Sequence, residues 1–154
     1  MASTPRTGAL DWLAAAQGSA HLGSGLLLLP AGQRWDVLLA PGRLGHHALA
    51  VLIRLARPGP VYADFGDEHL GFLVPVGTAG RWVGTGLRGA GAGTWVVLPH
   101  PARRGSSGVR WLVPPDGSGA LTDPVVFELA LHEAAAELYR TEQWPSTPRP
   151  SDDL

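Results

Sequence analysis

The side chains able to do chemistry in this chain are few in type. Cysteine is absent. That excludes disulfides, thiolate catalysis, zinc–thiolate sites and iron–sulfur clusters. Histidine occurs six times. His46-His47 falls in one predicted helix and His132-Glu133 in another. Neither has the i, i+4 histidine pair of an H-E-x-x-H zinc helix, so both read as surface or capping residues. His100, between Pro99 and Pro101, reads as a loop residue. No G-x-S-x-G elbow occurs, and Ser106 and Ser107 read as turn residues. Gly84-Thr85-Gly86-Leu87-Arg88-Gly89 resembles a phosphate loop superficially. A dinucleotide fingerprint opens a helix, whereas a strand follows here, so a glycine turn is the reading. Arg81, Arg88, Arg103, Arg104 and Arg110 can form a local basic surface, because guanidinium pairs well with phosphate. Trp82, Trp95 and Trp111 can stack on bases. Tryptophans at alternate strand positions more commonly pack a core or a sheet face, and that reading stands first.

The elements that must position these groups centre on Glu68–Pro114. Three apolar runs, Leu70–Val76, Trp95–Leu98 and Val109–Val113, are bounded by Gly, Pro or Ser and read as strands. Glycine-dense links at Gly84–Gly93 and Arg103–Gly108 suit tight turns, so the spacing predicts an antiparallel meander. Upstream, Ala9–Gln17 reads as a short amphipathic helix ended by Gly18. Leu26–Leu29 and Arg34–Ala40 read as strands, with Pro30-Ala-Gly-Gln between them compatible with a hairpin. Leu44, Ala48, Val51, Leu52 and Leu55 give a buried helical stripe over Leu44–Arg57, stopped by Pro58-Gly59-Pro60. Val61–Ala63 is a short strand, Asp64–Glu68 a polar turn and Pro114–Gly119 a closing turn. A last helix begins at Pro124, capped by Thr122 or Asp123. Its expected stripe is Val126, Leu129, Ala130, Ala134 and Leu138, and its expected end is near Arg140. No internal repeat of solenoid period is present. The order of elements predicts one α+β domain over residues 9–140, a mainly antiparallel sheet packed against a central and a C-terminal helix. Residues 1–8 read as a mobile N-terminus, and 141–154 as a disordered Pro- and Ser-rich tail.

Composition bounds the function. Twelve arginines and no lysine face 13 acidic residues, for a formal charge of -1. This balance provides no global electrostatic lure for nucleic acid. The Ala, Gly, Arg and Leu bias without lysine suits a GC-rich genome such as an actinobacterium's. No secretory h-region is expected at the N-terminus, where Asp11 interrupts the apolar residues. The apolar run at Leu26–Pro30 is far too short to span a bilayer. The expectation is a cytoplasmic protein with no membrane partner.

Four pieces of the organising stretch carry a family resemblance. They are Gly66-Asp67-Glu68-His69-Leu70-Gly71-Phe72, Gly84-Thr85-Gly86-Leu87-Arg88-Gly89, Thr94-Trp95-Val96-Val97-Leu98-Pro99-His100, and Val109-Arg110-Trp111. In order and spacing they resemble the bifunctional DNA primase/polymerase N-terminal domain, a branch of the archaeo-eukaryotic primase (prim-pol) superfamily. That family carries runs of the type S-G-G-x-H-x-Y-F, G-V-D-V-R-G-x-G-G-Y-V-V-A-P-P-S and Y-x-W. The resemblance covers about Leu26 to Pro115.

The resemblance implies a site in which carboxylates on alternate strand positions, joined by a third, hold Mg²⁺ or Mn²⁺ beside a triphosphate. Asp36 matches the first acid, but the position two residues on is Leu38. The third acid falls on Gly86. His69 matches the family's histidine and Arg88 its arginine. Asp64 and Asp67 are the other carboxylates an improvised site would draw on. One carboxylate and one histidine do not make a two-metal site.

The implied state is therefore a degenerate, non-catalytic relative, with Asp36 and His69 as remnants and no catalytic residue, metal or cofactor. Its role is binding or regulation, through protein contacts. The alternative is nucleic-acid or nucleotide binding on the sheet face through His69, Arg88, Arg81 and Arg110. The least favoured reading is an active primase or polymerase, which alone requires Mg²⁺ or Mn²⁺.

Overall fold

The computed structural model describes residues 12–13, 20–22, 25–82, 86–103 and 108–146. The chain forms β1 (Ala20–Leu22), β2 (Leu26–Pro30), β3 (Asp36–Pro41), α1 (Gly42–Leu55) and β4 (Val61–Ala63). A 3-10 turn (Phe65–Asp67), β5 (His69–Val74), the single-turn helix α2 (Thr78–Arg81) and β6 (Arg88–Ala90) follow. The last elements are β7 (Trp95–Pro99), β8 (Arg110–Val113) and α3 (Pro124–Ser146). The fold is α+β, as the order of elements predicts.

The elements stack in three layers. A five-stranded antiparallel sheet, in the order β6-β3-β5-β4-β8, forms the middle. Its two faces follow from the period-2 alternation of strand side chains. Leu38 and Ala40 of β3, with Leu70, Phe72 and Val74 of β5, face α1 and α3. Val37 and Leu73 face the other way, onto Leu27, Leu29, Val96 and Leu98 of a three-stranded sheet ordered β1-β2-β7. A central strand covered on both faces must be apolar at nearly every position, as Val37-Leu38-Leu39-Ala40 is.

The three runs of the organising stretch are strands, but they do not form a meander. They become β5, β7 and β8, and none is the sheet neighbour of another. Both edges of β5 are taken by β3 and β4, while β7 pairs with β2 from Leu26↔Pro99 to Pro30↔Trp95. Nor is there a hairpin at Pro30-Ala-Gly-Gln. β2 and β3 lie in different layers, and the link between them turns at Gly32, whose φ is +89°. A Cβ there would sit 2.4 Å from the Ala92 backbone, so only glycine lets the two links pass.

The helices also depart in detail. α1 starts at Gly42, and Leu55 at its end is exposed. On α3 the buried residues are Phe127, Ala130, Leu131 and Ala134, whereas Leu129 is 59% exposed. The stripe is thus rotated from the expected one, because Phe127 is what fills the space above Phe72. Asp123 is the cap, its Oδ1 accepting from the Val125 N–H at 2.8 Å. Thr122 is instead buried, and its hydroxyl oxygen accepts from the Gly59 N–H at 3.0 Å. α3 continues to Ser146, past the expected stop near Arg140. Of the expected helix Ala9–Gln17, only Trp12 and Leu13 are among the described residues, and both are helical. Leu13 is buried, and its carbonyl accepts from Trp35 Nε1 at 3.3 Å. Residues 1–8 and 147–154 lie outside the described residues.

Candidate functional site

The polar groups gather at the turn before β5. Asp64 and His69 flank the 3-10 turn. Asp64 Oδ1 accepts from the His69 backbone N–H at 2.9 Å, and its Oδ2 lies 3.2 Å from His69 Nδ1. A carboxylate only accepts, so Nδ1 is the nitrogen that carries the proton. Asp67 sits in the left-handed region at φ 56°, following Gly66 at φ 69°. This uncommon conformation for a non-glycine residue turns the Asp67 carboxylate towards β8. There Arg110 Nη1 and Nη2 donate to it at 2.6 and 3.0 Å, a bidentate pair, and His46 Nε2 of α1 donates at 2.9 Å. The turn is fixed to the start of α1 by the Gly42 N–H, which donates to the Glu68 carbonyl at 2.8 Å.

The electrostatics follow from these bonds. Hydrogen bonds from Arg110, then from His46, hold the Asp67 carboxyl down at about 2. The same bond holds the Arg110 guanidinium above its ordinary value. Next to the turn, burial and then the charge of Asp64 push the Tyr62 phenol up. A carboxyl whose folded-state pKa is depressed adds stability above its unfolded value, and that stability fades as pH falls towards the folded value. The Asp67 contribution is therefore complete above about pH 4 and is lost between about pH 4 and pH 2. Because the side chain is one-third exposed, solvent screening limits it to about 0.5–1 kcal/mol. In urea titrations the stability gap between the protein and Asp67→Asn is expected to narrow across that window. A gap that does not change with pH contradicts the assignment.

The structure brings some of the sequence-predicted residues together and separates others. His69 and Arg110 share this cluster, joined by His46, Asp64 and Asp67. His46 reads as a surface residue in sequence, and nothing local signals that the turn and β8 meet on α1. Asp36 is elsewhere. It pairs with Val74 at the start of β3, while His69 pairs with Pro41 at its end. Five residues of strand put them about 17 Å apart. Arg88 lies between, opposite Leu39. Arg81 ends α2, and both Arg81 and Arg88 are exposed. Gly86, at the place of the third acid, is exposed with φ +84°.

Asp36 itself is spent on a structural bond. Its side chain is buried, and Oδ2 accepts from the Gly77 N–H and the Ala79 N–H, each at 2.9 Å. Those are the amides at the opening of α2. Among the described residues no group of three or more His, Asp or Glu side chains is placed to hold a metal ion.

The tryptophans are dispersed. Trp82 lies 5.8 Å from the Phe127 ring, and Trp111 meets Tyr62 edge-on at 6.1 Å while donating to the Pro99 carbonyl at 3.0 Å. Trp95 is 50% exposed on β7. Packing therefore accounts for Trp82 and Trp111. Arg103 lies beside Gly25. Arg104, Ser106, Ser107, Gly84 and Thr85 fall outside the described residues. No helix among the described residues is long and apolar enough to cross a membrane. Comparison of the chain with protein-family models, curated proteins and solved structures finds no match.

Proposed function

We propose that this chain is a non-catalytic, prim-pol-like domain of the cytoplasm that works by binding, through protein contacts. The observation that carries the reading is the state of the β3 strand. Asp36 is tied to two backbone amides, and the residue beneath it on the same face, Leu38, is fully buried among α1 and α3. A metal site for phosphoryl transfer needs several anionic oxygens converging on one ion. Here Asp36 starts β3, and His69 lies on the neighbouring β5, opposite the far end of β3. Support for protein contacts comes from the outer layer, where Trp95 and Val97 alternate on the exposed side of β7 and Leu22 is exposed on β1. Apolar residues grouped on one sheet face mark interfaces more often than scattered ones do.

The test is nucleotide incorporation on a primed and an unprimed template with Mg²⁺ or Mn²⁺. No incorporation is expected. Metal-dependent incorporation that disappears in Asp36→Ala and His69→Ala overturns the reading. A second reading, single-stranded nucleic acid on the sheet, is favoured by the exposure of Arg81, Arg88 and Trp95. It requires a gel shift of an oligonucleotide that weakens steeply with salt. Arg110 and His69 add little to it, because their hydrogen bonds already go to Asp67 and Asp64.

A further inference from the structure

We propose that β7 is the seam of a symmetric dimer, pairing edge to edge and antiparallel with β7 of a second copy of this chain. The inference rests on the reading of the chain as one that works through protein contacts, and it names the partner. β7 lies at the end of the three-stranded sheet, with β2 as its one strand neighbour. Along an antiparallel strand the residues alternate in which edge their backbone groups face. The Ala31 N–H donates to the Thr94 carbonyl and the His100 N–H to the Gly25 carbonyl, each at 2.8 Å. Those bonds fix the phase. Thr94, Val96 and Leu98 turn their groups to β2, and Trp95, Val97 and Pro99 turn theirs to the free edge. Pro99 has nothing left to offer there, because it lacks an N–H and its carbonyl accepts from Trp111 Nε1 at 3.0 Å. Trp95 and Val97 stand open, and no bond among the described residues meets their N–H and C=O groups.

This open edge is self-complementary. A two-fold axis at Val96 places Trp95 opposite Val97 of the second copy, and Val97 opposite its Trp95. Each pair exchanges two N–H···O bonds, so every open group on both copies is met. The neighbouring registers do worse. An axis at Trp95 would put Val97 against Gly93, whose φ of +91° takes it out of the strand. An axis at Val97 would put Trp95 against Pro99. In the favoured register Gly93 meets Pro99, and a Cβ on Gly93 would find nothing within 4 Å, so the approach is open.

The side chains agree with the backbone. Trp95 and Val97 are 50% and 37% exposed on the outer face of the sheet. Across the seam they form two aromatic–β-branched pairs, a combination that stabilises antiparallel sheets. Leu28, opposite Val97 on β2, continues the apolar face with Leu26 and Leu22. β2 and β7 carry no charged residue, and their register runs without a bulge. Edges kept monomeric are guarded by lysine, proline or a bulge, and here the one proline of β7 stands at its end, past Val97. An extended segment of another protein could use the same four groups. A second copy is favoured because β7 itself carries the side chains that its own open groups would bring together. The seam is small against the about 1,200–2,000 Å² of specific interfaces, so a micromolar dissociation constant is expected.

The experiment is sedimentation equilibrium of the full chain from micromolar to millimolar concentration. A reversible monomer–dimer equilibrium is expected. Val97→Pro removes an N–H from the free edge and none from the β2 side, so the fold should be kept. It deletes two bonds across the seam and should weaken the dimer about tenfold or more. Trp95→Lys places a charge on the edge and should weaken it at least as much. Should Val97→Pro fail to fold, Val97→Lys takes its place, with the same loss expected. A chain that stays monomeric at every concentration overturns the proposal and leaves contacts with a different protein standing. A dimer that these variants leave unchanged, or that Trp95→Lys weakens and the Val97 variant does not, also overturns edge pairing. Metal-dependent nucleotide incorporation would strike the non-catalytic reading without moving this equilibrium, so the two failures are told apart.

Discussion

Phe127→Ala is expected to lower the free energy of unfolding by about 3–5 kcal/mol. Phe127 is fully buried, on the first turn of α3. Its ring lies 4.4 Å from that of Phe72, at the middle of β5, and 5.8 Å from Trp82. It is the side chain through which the C-terminal helix grips the central sheet. Truncation removes the transfer energy of the ring and leaves a cavity whose walls, Phe72 above all, are fixed by sheet pairing and cannot collapse inward. A domain of this size has only about 5–15 kcal/mol to lose. The urea midpoint should fall sharply, with Leu129→Ala as the control. Leu129 is one of the exposed residues of the same helix, and its change is expected within about 0.5 kcal/mol. Equal effects for the two variants would mean that α3 packs on a different face.

Gly42→Ala is expected to cost about 2–3 kcal/mol for the addition of one methyl group. A Cβ at Gly42 would stand 1.8 Å from the Asp67 carbonyl oxygen and 3.0 Å from the Asp67 carbonyl carbon. Both are backbone atoms, in a turn held by the Gly42–Glu68 hydrogen bond, so no side chain can swing aside. The 64–68 turn must move as a unit, and Asp64 and Asp67 move with it. The variant should therefore disturb the His46 and His69 ring signals and raise the Asp67 pKa towards its ordinary value. Gly80→Ala, where the new methyl meets open space, should be neutral or stabilising by up to about 1 kcal/mol. Intact histidine signals in a folded Gly42→Ala protein would show that the turn and α1 are not joined as described.

The strands that carry β-branched or leucine runs are legible from sequence because their apolar character is local. Leu26–Leu29, Val61–Ala63 and Trp95–Leu98 appear where expected. Their partners are not legible. A run of four leucines does not encode whether it joins the next strand or one far along the chain, and the turn residues at Pro30-Ala-Gly-Gln suit either. β6, Arg-Gly-Ala, has little strand propensity of its own and becomes a strand because the free edge of β3 pairs with it. α2 is a single turn held by the Asp36 carboxylate, a bond from a strand distant in sequence that no local pattern announces. The buried face of α3 is misread at Leu129, which solvent receives together with Val125, whereas Val126, Ala130 and Ala134 of the expected stripe do pack against the core. For the site, His69, Arg88 and Asp36 are recognisable as residue types. That Asp36 and His69 belong to two different places depends on the β3–β5 register, which is a tertiary fact.

The pairing of β2 with β7 also sets a timetable. During synthesis the leucine strand leaves the ribosome on the order of ten seconds before its partner, at typical elongation rates. Over that interval Leu26–Pro30 has only the three residues of β1 to pair with, and one of its edges is an open template for other chains. The outer layer cannot close until Pro99 has emerged. A nascent chain stalled before that point is a species that needs a chaperone, and the full-length protein inherits the slow folding of a topology dominated by distant pairings.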